Sequence, residues 1–214
     1  MIKACIFDLD GVIVDTAHYH YLAWKRLAGE LGINLTPEDN ERLKGVSRID
    51  SLKIILELGN KKLPPNKMEE LADRKNGWFV EYVEAMKPNE IFPGVKKLIT
   101  EMRQRSLKIG LASSSKNAKR VVELLGIASL FDAMVDGTMI THSKPDPEIF
   151  LLAAKRLNIE PRFCLVFEDA EAGVESAVRA GMKCVGVGSL EQLGKASMVV
   201  SKTADFDLGS LSKV

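Results

Sequence analysis

Two aspartates one residue apart, Asp8 and Asp10, follow a short apolar run at residues 4–7. The run has the length and composition of a buried strand. Both carboxylates should therefore lie at the carboxyl edge of that strand, where open α/β sheets bind their ligands. Two negative charges this close need a cation or a shared proton. A divalent metal ion meets this need, because the short Asp side chain presents oxygen ligands with little conformational freedom.

Further polar groups follow the later strand-like runs. Ser113 comes after the run at 107–112, Lys144 stands ahead of two prolines, and Glu168 and Asp169 end the run at 164–167. Taken singly, these residues also suit a helix N-cap, a solvated lysine in a turn, and acids at a helix start. Taken together, in chain order at the ends of predicted parallel strands, they indicate a magnesium-assisted phosphoryl-transfer site.

The elements that must position these groups alternate from residue 88 onward. Helical patterns cover 95–105, 119–125, 147–157 and 172–180, and strand patterns cover 107–112, 133–135, 164–167 and 184–187. The pattern also predicts a short edge strand at residues 198–200 and a terminal turn of helix at 208–214. This alternation predicts an α/β fold with a doubly wound parallel sheet, a Rossmann-like core, covered by helices on both faces.

The segment between the first strand and this core is helical throughout. It contains helical patterns from Thr16 to Gly32, from Thr36 to Gly45, from Ser47 to Gly59 and over residues 68–86, and no strand pattern. We therefore expect an α/β catalytic core of residues 1–14 and 88–214, interrupted by a helical cap domain of residues 15–87. An all-helical insertion placed directly after the acidic pair can cover it as a lid.

Composition excludes several classes of function. Thirty basic and twenty-nine acidic residues give a net charge of +1, so we expect no nucleic acid and no membrane surface as a partner, and a small charged substrate stays open. Three cysteines, Cys5, Cys164 and Cys184, each lie in an apolar run, which favours buried thiols in a reducing compartment. The sequence has no signal-peptide pattern and no run of roughly 20 apolar residues, so we expect a cytoplasmic protein.

At these residues the chain resembles the haloacid dehalogenase superfamily of phosphotransferases. The superfamily pattern of Asp-x-Asp, Ser/Thr, Lys and an acidic pair is matched by Asp8 with Asp10, Ser113, Lys144, and Glu168 with Asp169. The helical insertion is similar to the small cap of the β-phosphoglucomutase subfamily. Stretches that match the subfamily lie at 8–13, 15–20, 43–48, 74–76, 112–117 and 143–145.

The resemblance implies a role for each core residue. Asp8 is the nucleophile that forms an aspartyl phosphate, and Asp10 exchanges a proton with the attacking or leaving hydroxyl. Ser113 and Lys144 hold the phosphoryl oxygens. The implied cofactor is Mg²⁺, with Asp8, Asp10, Glu168 and Asp169 as its ligands and Glu168 binding either directly or through water.

The resemblance also assigns substrate contacts in the cap. It implies that Thr16, His20, Trp24 and Lys75 line the active-site cleft, with His20 assisting cap closure and placement of Asp10. It further implies that Arg48, with Ser115, Lys116 and Asn117, grips the second phosphate of a bisphosphorylated sugar. Gly45, Val46 and Ser47 belong to the same predicted substrate-binding set. From the residues alone, a core-edge histidine, a snorkelling lysine and a surface arginine stay open for His20, Lys75 and Arg48.

We therefore expect a phosphosugar mutase that interconverts β-D-glucose 1-phosphate and D-glucose 6-phosphate through β-D-glucose 1,6-bisphosphate. The alternative is a magnesium-dependent sugar-phosphate phosphatase of the same superfamily. A signalling module phosphorylated on aspartate is disfavoured, because its acceptor lies on a mid-chain strand, whereas this Asp pair opens the chain and a lid follows it. By family resemblance we expect small-molecule sugar phosphates as partners and a monomeric enzyme.

Overall fold

The computed structural model describes residues 1–43 and 46–212. The chain forms two compact units. One consists of Met1–Asp15 with Lys87–Val214, and the other consists of Thr16–Met86. The first unit, here called the core, contains all the strands assigned in the described residues, and the second, here called the cap, contains only helices. No helix in the described part of the chain is long and apolar enough to cross a membrane.

Strand β1 (Ala4–Phe7) opens the core, and four helices form the cap. They are α1 (Ala17–Glu30), α2 (Pro37–Glu41), α3 (Arg48–Leu58) and α4 (Pro65–Val83). Apolar side chains from α1, α3 and α4 form one buried cluster that includes Leu27, Leu52, Ile55 and Leu71. The cap therefore has a hydrophobic core of its own.

Two cap helices have different bounds from those predicted. Helix α2 starts at a capping box between Thr36 and Asp39, but it ends at Glu41. The amides of Arg42 and Leu43 bond carbonyls three residues back, so the last turn tightens and stops. The predicted end at Gly45 lies outside the described residues. Helix α4 starts at Pro65 because proline suits the first helical position.

The remaining elements of the core alternate as predicted. They are α5 (Val95–Gln104), β2 (Lys108–Ala112), α6 (Ala118–Leu124), β3 (Ala133–Val135), α7 (Glu148–Leu157), β4 (Cys164–Glu168), α8 (Glu171–Arg179), β5 (Lys183–Val187), α9 (Leu190–Leu193) and β6 (Met198–Val200). Short 3₁₀ helices occur at Pro88–Glu90, Ala128–Leu130, Pro161–Phe163, Thr203–Asp205 and Leu208–Ser212. Helix α9, which we did not predict, is one turn long and is capped by Ser189, whose hydroxyl accepts from the Gln192 amide.

The six strands form one parallel sheet in the order β3-β2-β1-β4-β5-β6. This order confirms the doubly wound fold, and its direction reverses between β1 and β4, the point at which such sheets bind ligands. The Asp8 amide continues the ladder by donating to the Phe167 carbonyl at 2.9 Å. Asp8 and Glu168 are thereby placed side by side at the carboxyl ends of the two central strands.

Both faces of the sheet are covered. Ala4 and Ile6 pack into a cluster with Ile149 and Phe150 of α7 and Val174 of α8. On the opposite face, Phe7 stacks on Phe167 with ring centroids 4.5 Å apart. The three cysteines are buried free thiols, as the sequence predicted. The central strands are thus fixed by buried contacts on two sides, which makes their carboxyl ends a rigid base for side chains.

Candidate active site

A buried lysine joins the carboxylates that follow β1 and end β4. Lys144 Nζ donates to Asp8 Oδ1 at 2.6 Å and to Glu168 Oε2 at 2.8 Å. All three side chains are buried. Side-chain oxygens of Asp8, Glu168 and Asp169 also lie within 4.8 Å of one another. The structure therefore brings together four residues that the sequence assigned to one site.

The charges in this cluster do not balance, because one ammonium faces several carboxylates. Burial alone lowers the pKa of Lys144, but the charges of Asp8 and Glu168 outweigh it and raise that pKa above its usual value. Burial, together with the charges of Asp8 and Asp169, raises the pKa of Glu168 even though Lys144 opposes the shift. The cluster thus keeps Lys144 protonated and attracts further positive charge.

The donor set suits a hard divalent cation such as Mg²⁺. Its ligand atoms are carboxylate oxygens, which Mg²⁺ and Ca²⁺ prefer, with no sulfur or imidazole in the group. The Asp10 side chain is not part of this three-carboxylate group. Its Oδ1 atom is buried and has no hydrogen-bond partner among the described residues. The metal ligation by Asp10 stays a prediction.

Asp10 is electrostatically suited to proton exchange. Burial, followed by the negative charge of Asp8, raises the pKa of Asp10 to about 8. A carboxyl group with such a pKa can hold a proton near neutral pH and also release it. The two aspartates of the opening motif therefore differ, because Asp8 is paired with Lys144 and Asp10 is not.

Two glycines that we did not predict as part of the site leave room for Glu168 and Asp169. Gly11 has φ +71°, and a Cβ there would overlap the Asp169 carboxylate. Gly173 lies inside α8, where a Cβ would overlap the Glu168 carboxylate. Glycine inside a helix costs roughly 1 kcal/mol relative to alanine. That cost was the available signal that something close to Gly173 needs the space.

The loop after β2 is held in a fixed shape by its own hydroxyls. Ser113 is buried, its amide donates to the Val135 carbonyl, and its Oγ accepts from the Ser115 amide at 3.2 Å. Ser115 Oγ in turn accepts from the Asn117 amide at 3.2 Å. Lys116 is exposed. The loop therefore leads from the end of the strand to the start of α6 in a defined conformation that can present donors to an anion.

In the cap, the predicted residues His20, Trp24 and Lys75 form one cluster. Lys75 is 2% exposed, and its Nζ lies 2.7 Å from His20 Nδ1 and 4.5 Å from the centre of the Trp24 ring. The His20 ring stacks on Phe79 with centroids 3.8 Å apart. A buried ammonium is costly unless it is hydrogen-bonded, and here an imidazole nitrogen and aromatic faces receive it. The snorkelling alternative for Lys75 is therefore wrong.

This cluster fixes the protonation of His20. An ammonium has donors only, so Nδ1 must accept and Nε2 must carry the ring proton. Burial, and then the positive charges of Lys75 and Arg48, hold the pKa of His20 well below its usual value. His20 is therefore a neutral imidazole at physiological pH, with its Nε2–H available as a donor.

The other cap residues are placed as follows. Arg48 begins α3, and its guanidinium donates to Asp73 Oδ1 at 3.2 Å and to Asn76 Oδ1 at 2.8 Å. Ser47 is the N-cap of α3, with its hydroxyl accepting from the Asp50 amide. Val46 is exposed and Thr16 is buried. Gly45 lies outside the described residues. Arg48 is thus oriented by α4 rather than extending into solvent without restraint.

The fold and the carboxylate–lysine cluster define a class of enzyme, and comparisons with known proteins agree with it. Residues 2–181 match the model of the haloacid dehalogenase-like hydrolase family. The chain belongs to this family, and the predicted resemblance is confirmed.

The individual relatives of the chain include β-phosphoglucomutases and a phosphatase of phosphorylated carbohydrates. The chain is 44% identical over 208 residues to the β-phosphoglucomutase of Bacillus subtilis, covering 96% of this chain and 92% of that protein. A crystal structure of β-phosphoglucomutase from Clostridium difficile superposes with a TM-score of 0.94 at 44% identity, covering 100% of this chain and 96% of the other. The chain is also 35% identical over 184 residues to a phosphorylated carbohydrates phosphatase of Thermotoga maritima, covering 85% and 82% of the two chains.

Proposed function

We propose that this protein is a phosphosugar mutase, an isomerase that interconverts β-D-glucose 1-phosphate and D-glucose 6-phosphate through β-D-glucose 1,6-bisphosphate. The observation that carries the chemistry is the buried lysine held between Asp8 and Glu168 at the switch point of the sheet. The likeness to two β-phosphoglucomutases over almost the whole chain supports the choice of reaction.

The chemistry follows from the two aspartates. The Asp8 carboxylate attacks phosphorus of the bisphosphate, and the bond between phosphorus and the sugar oxygen breaks. Asp10 gives its proton to that oxygen, so an aspartyl phosphate and a sugar monophosphate result. In the return step the 6-hydroxyl of a new β-D-glucose 1-phosphate molecule loses its proton to Asp10 and takes the phosphoryl group from Asp8, which re-forms the bisphosphate. The raised pKa of Asp10 suits it for both directions of proton transfer.

The remaining core residues stabilise the group in transit. Lys144, fixed by its two ion pairs, supplies a positive charge next to Asp8, and Ser113 supplies a hydroxyl on a restrained loop. We propose Mg²⁺ as the cofactor, held by Asp8, Asp10 and Asp169, with Glu168 direct or through water. Bound there, Mg²⁺ would neutralise charge on the phosphoryl oxygens.

A mutase has to bind a substrate with a phosphate at each end. We propose that Arg48, with Ser115, Lys116 and Asn117, binds the phosphate that does not react. We also propose that His20 and Lys75 line the active-site cleft and that His20 assists cap closure. Closure would exclude water from the aspartyl phosphate. The compact packing of His20 and Lys75 supports a positioning role, because their mutual hydrogen bond fixes both side chains. We propose a monomeric, cytoplasmic enzyme, in keeping with its buried thiols.

A sugar-phosphate phosphatase is the second candidate, favoured by the likeness to the Thermotoga maritima phosphatase. It would use the same Asp8 chemistry with water as the final acceptor. The two candidates differ in their need for a second phosphate site, and Arg48 is the residue that tests this need.

The experiment is a product assay with each anomer of glucose 1-phosphate, supplied with Mg²⁺ and a trace of glucose 1,6-bisphosphate. The proposal predicts glucose 6-phosphate from the β anomer, little from the α anomer, and loss of at least tenfold in mutase rate for Arg48→Ala. Arg42→Ala, at an exposed arginine of the same cap, should keep the wild-type rate. Release of inorganic phosphate without glucose 6-phosphate, unaffected by Arg48→Ala, would establish the phosphatase instead.

A further inference from the structure

A second group of metal-ligating side chains lies on the segment that leads into α7, and the proposed reaction does not use it. His142 Nδ1 and carboxylate oxygens of Asp146 and Glu148 lie within 4.8 Å of one another. The same three residues line a shallow depression that is open to solvent, together with Pro147, Leu151, Leu152 and Lys155. The His142 side chain is exposed, so solvent ions can reach it.

The spacing of two of these atoms already suits a bound ion. His142 Nδ1 lies 3.2 Å from Glu148 Oε2. Two ligands at about 2.0–2.1 Å from a tetrahedral ion lie roughly 3.3 Å apart. A cation can therefore replace the proton between these atoms with little movement of either residue.

The two carboxylates are also held in place by the backbone. The amides of Thr141 and His142 donate to Glu148 at 3.0 and 2.7 Å, and the Glu148 amide donates to Asp146 Oδ1 at 2.9 Å. Hydrogen bonds of this kind orient ligands before the metal arrives. One imidazole nitrogen with two carboxylates favours a borderline cation such as Zn²⁺ or Co²⁺, in contrast to the carboxylates around Asp8, which favour Mg²⁺.

We propose that His142, Asp146 and Glu148 form a second divalent-cation site, specific for cations of the Zn²⁺ and Co²⁺ class and separate from the carboxylates around Asp8. Its ligands flank Lys144 in the chain, with His142 before it and Asp146 after it. A bound ion ties together the two ends of the segment that presents Lys144 to Asp8 and Glu168. Occupation of the site therefore stabilises the folded chain.

The test uses the full chain with Mg²⁺ in large excess, so that the carboxylates around Asp8 are occupied. Titration with Co²⁺ should give a visible absorption band that saturates at one Co²⁺ per chain. His142→Ala should abolish the band, whereas His18→Ala, at an exposed histidine of the cap, should keep it. Zn²⁺ should raise the melting temperature of the wild type and of His18→Ala by several degrees, but not that of His142→Ala.

Activity with Mg²⁺ alone should be unchanged in His142→Ala, which shows that the variant folds. The proposal fails if the wild type shows no saturable Co²⁺ band under excess Mg²⁺. It fails equally if His142→Ala binds Co²⁺ as the wild type does, or if His18→Ala loses the band to the same extent.

Discussion

The pair formed by half-buried His20 and buried Lys75 makes the stability of the cap depend on pH. In the folded chain His20 accepts a hydrogen bond from Lys75 through Nδ1, and burial together with the charge of Lys75 holds its pKa well below the usual value. The unfolded chain has an ordinary histidine at this position. Below about pH 6.5 the His20 side chain therefore binds a proton in the unfolded state but not in the folded state. The free energy of unfolding consequently decreases as the pH falls. Above that pH the contribution is fully present.

The size of the effect follows from proton linkage. For a histidine with a pKa of about 6.5 in the unfolded chain, lowering the pH from about 7 to about 5 costs up to roughly 2 kcal/mol, the limit for a folded chain that takes up no proton in this range. His20→Asn keeps an acceptor for Lys75, because the amide oxygen stands near the place of Nδ1, and it removes the titrating ring. We expect the acid-induced loss of stability to be smaller in this variant by that amount.

The assay is urea unfolding followed by tryptophan fluorescence at several pH values. Both tryptophans of the chain, Trp24 and Trp78, lie in the cap, so the signal reports on that unit. His18→Asn, at an exposed histidine of the same helix, is the control and should follow the wild-type pH dependence. Parallel curves for wild type and His20→Asn between about pH 7 and 5 would refute the reasoning, since His20 would then take up its proton in the folded state too.

Two further predictions concern the core. Replacing Lys144 by Met leaves the Asp8 and Glu168 carboxylates buried without their cation, and should cost roughly 3–5 kcal/mol of unfolding free energy. Mg²⁺ should restore part of this loss in chemical denaturation, and wild-type stability without Mg²⁺ would contradict the account. Gly173→Ala puts a methyl group against the Glu168 carboxylate. It should raise the Mg²⁺ concentration needed for half-maximal activity about tenfold or more. Gly77→Ala, whose Cβ meets nothing within 4 Å, should leave that concentration unchanged, and equal Mg²⁺ curves for both variants would show that the Gly173 contact is unimportant.

Much of the core could be predicted from the sequence because its strands are short apolar runs between turn residues. Strands β1, β3 and β6 have the predicted bounds, and β2, β4 and β5 differ from theirs by one residue. Their parallel order follows from the alternation with helices, and this order brings Asp8 and Glu168 to one edge of the sheet. The polar residues of the core could therefore be grouped before any coordinates were known.

The details that could not be predicted depend on contacts between residues far apart in the chain. The hydrogen bond between Lys75 and His20 spans 55 residues, and its geometry is set by the packing of α4 against α1. The need for glycine at 173 is visible only once Glu168 is placed beside α8. The grouping of His142 with Asp146 and Glu148 was also missed, because the segment was interpreted only as a turn around Lys144. Local sequence patterns give no information on contacts of this kind.

The central claim is that the phosphoryl group on Asp8 passes to a sugar hydroxyl rather than to water. The most direct test follows radiolabelled phosphate from β-D-glucose 1,6-bisphosphate during turnover with excess β-D-glucose 1-phosphate and Mg²⁺. The account predicts that the label remains in sugar phosphates over many turnovers, with inorganic phosphate as a minor product. Early appearance of most of the label in inorganic phosphate would contradict it.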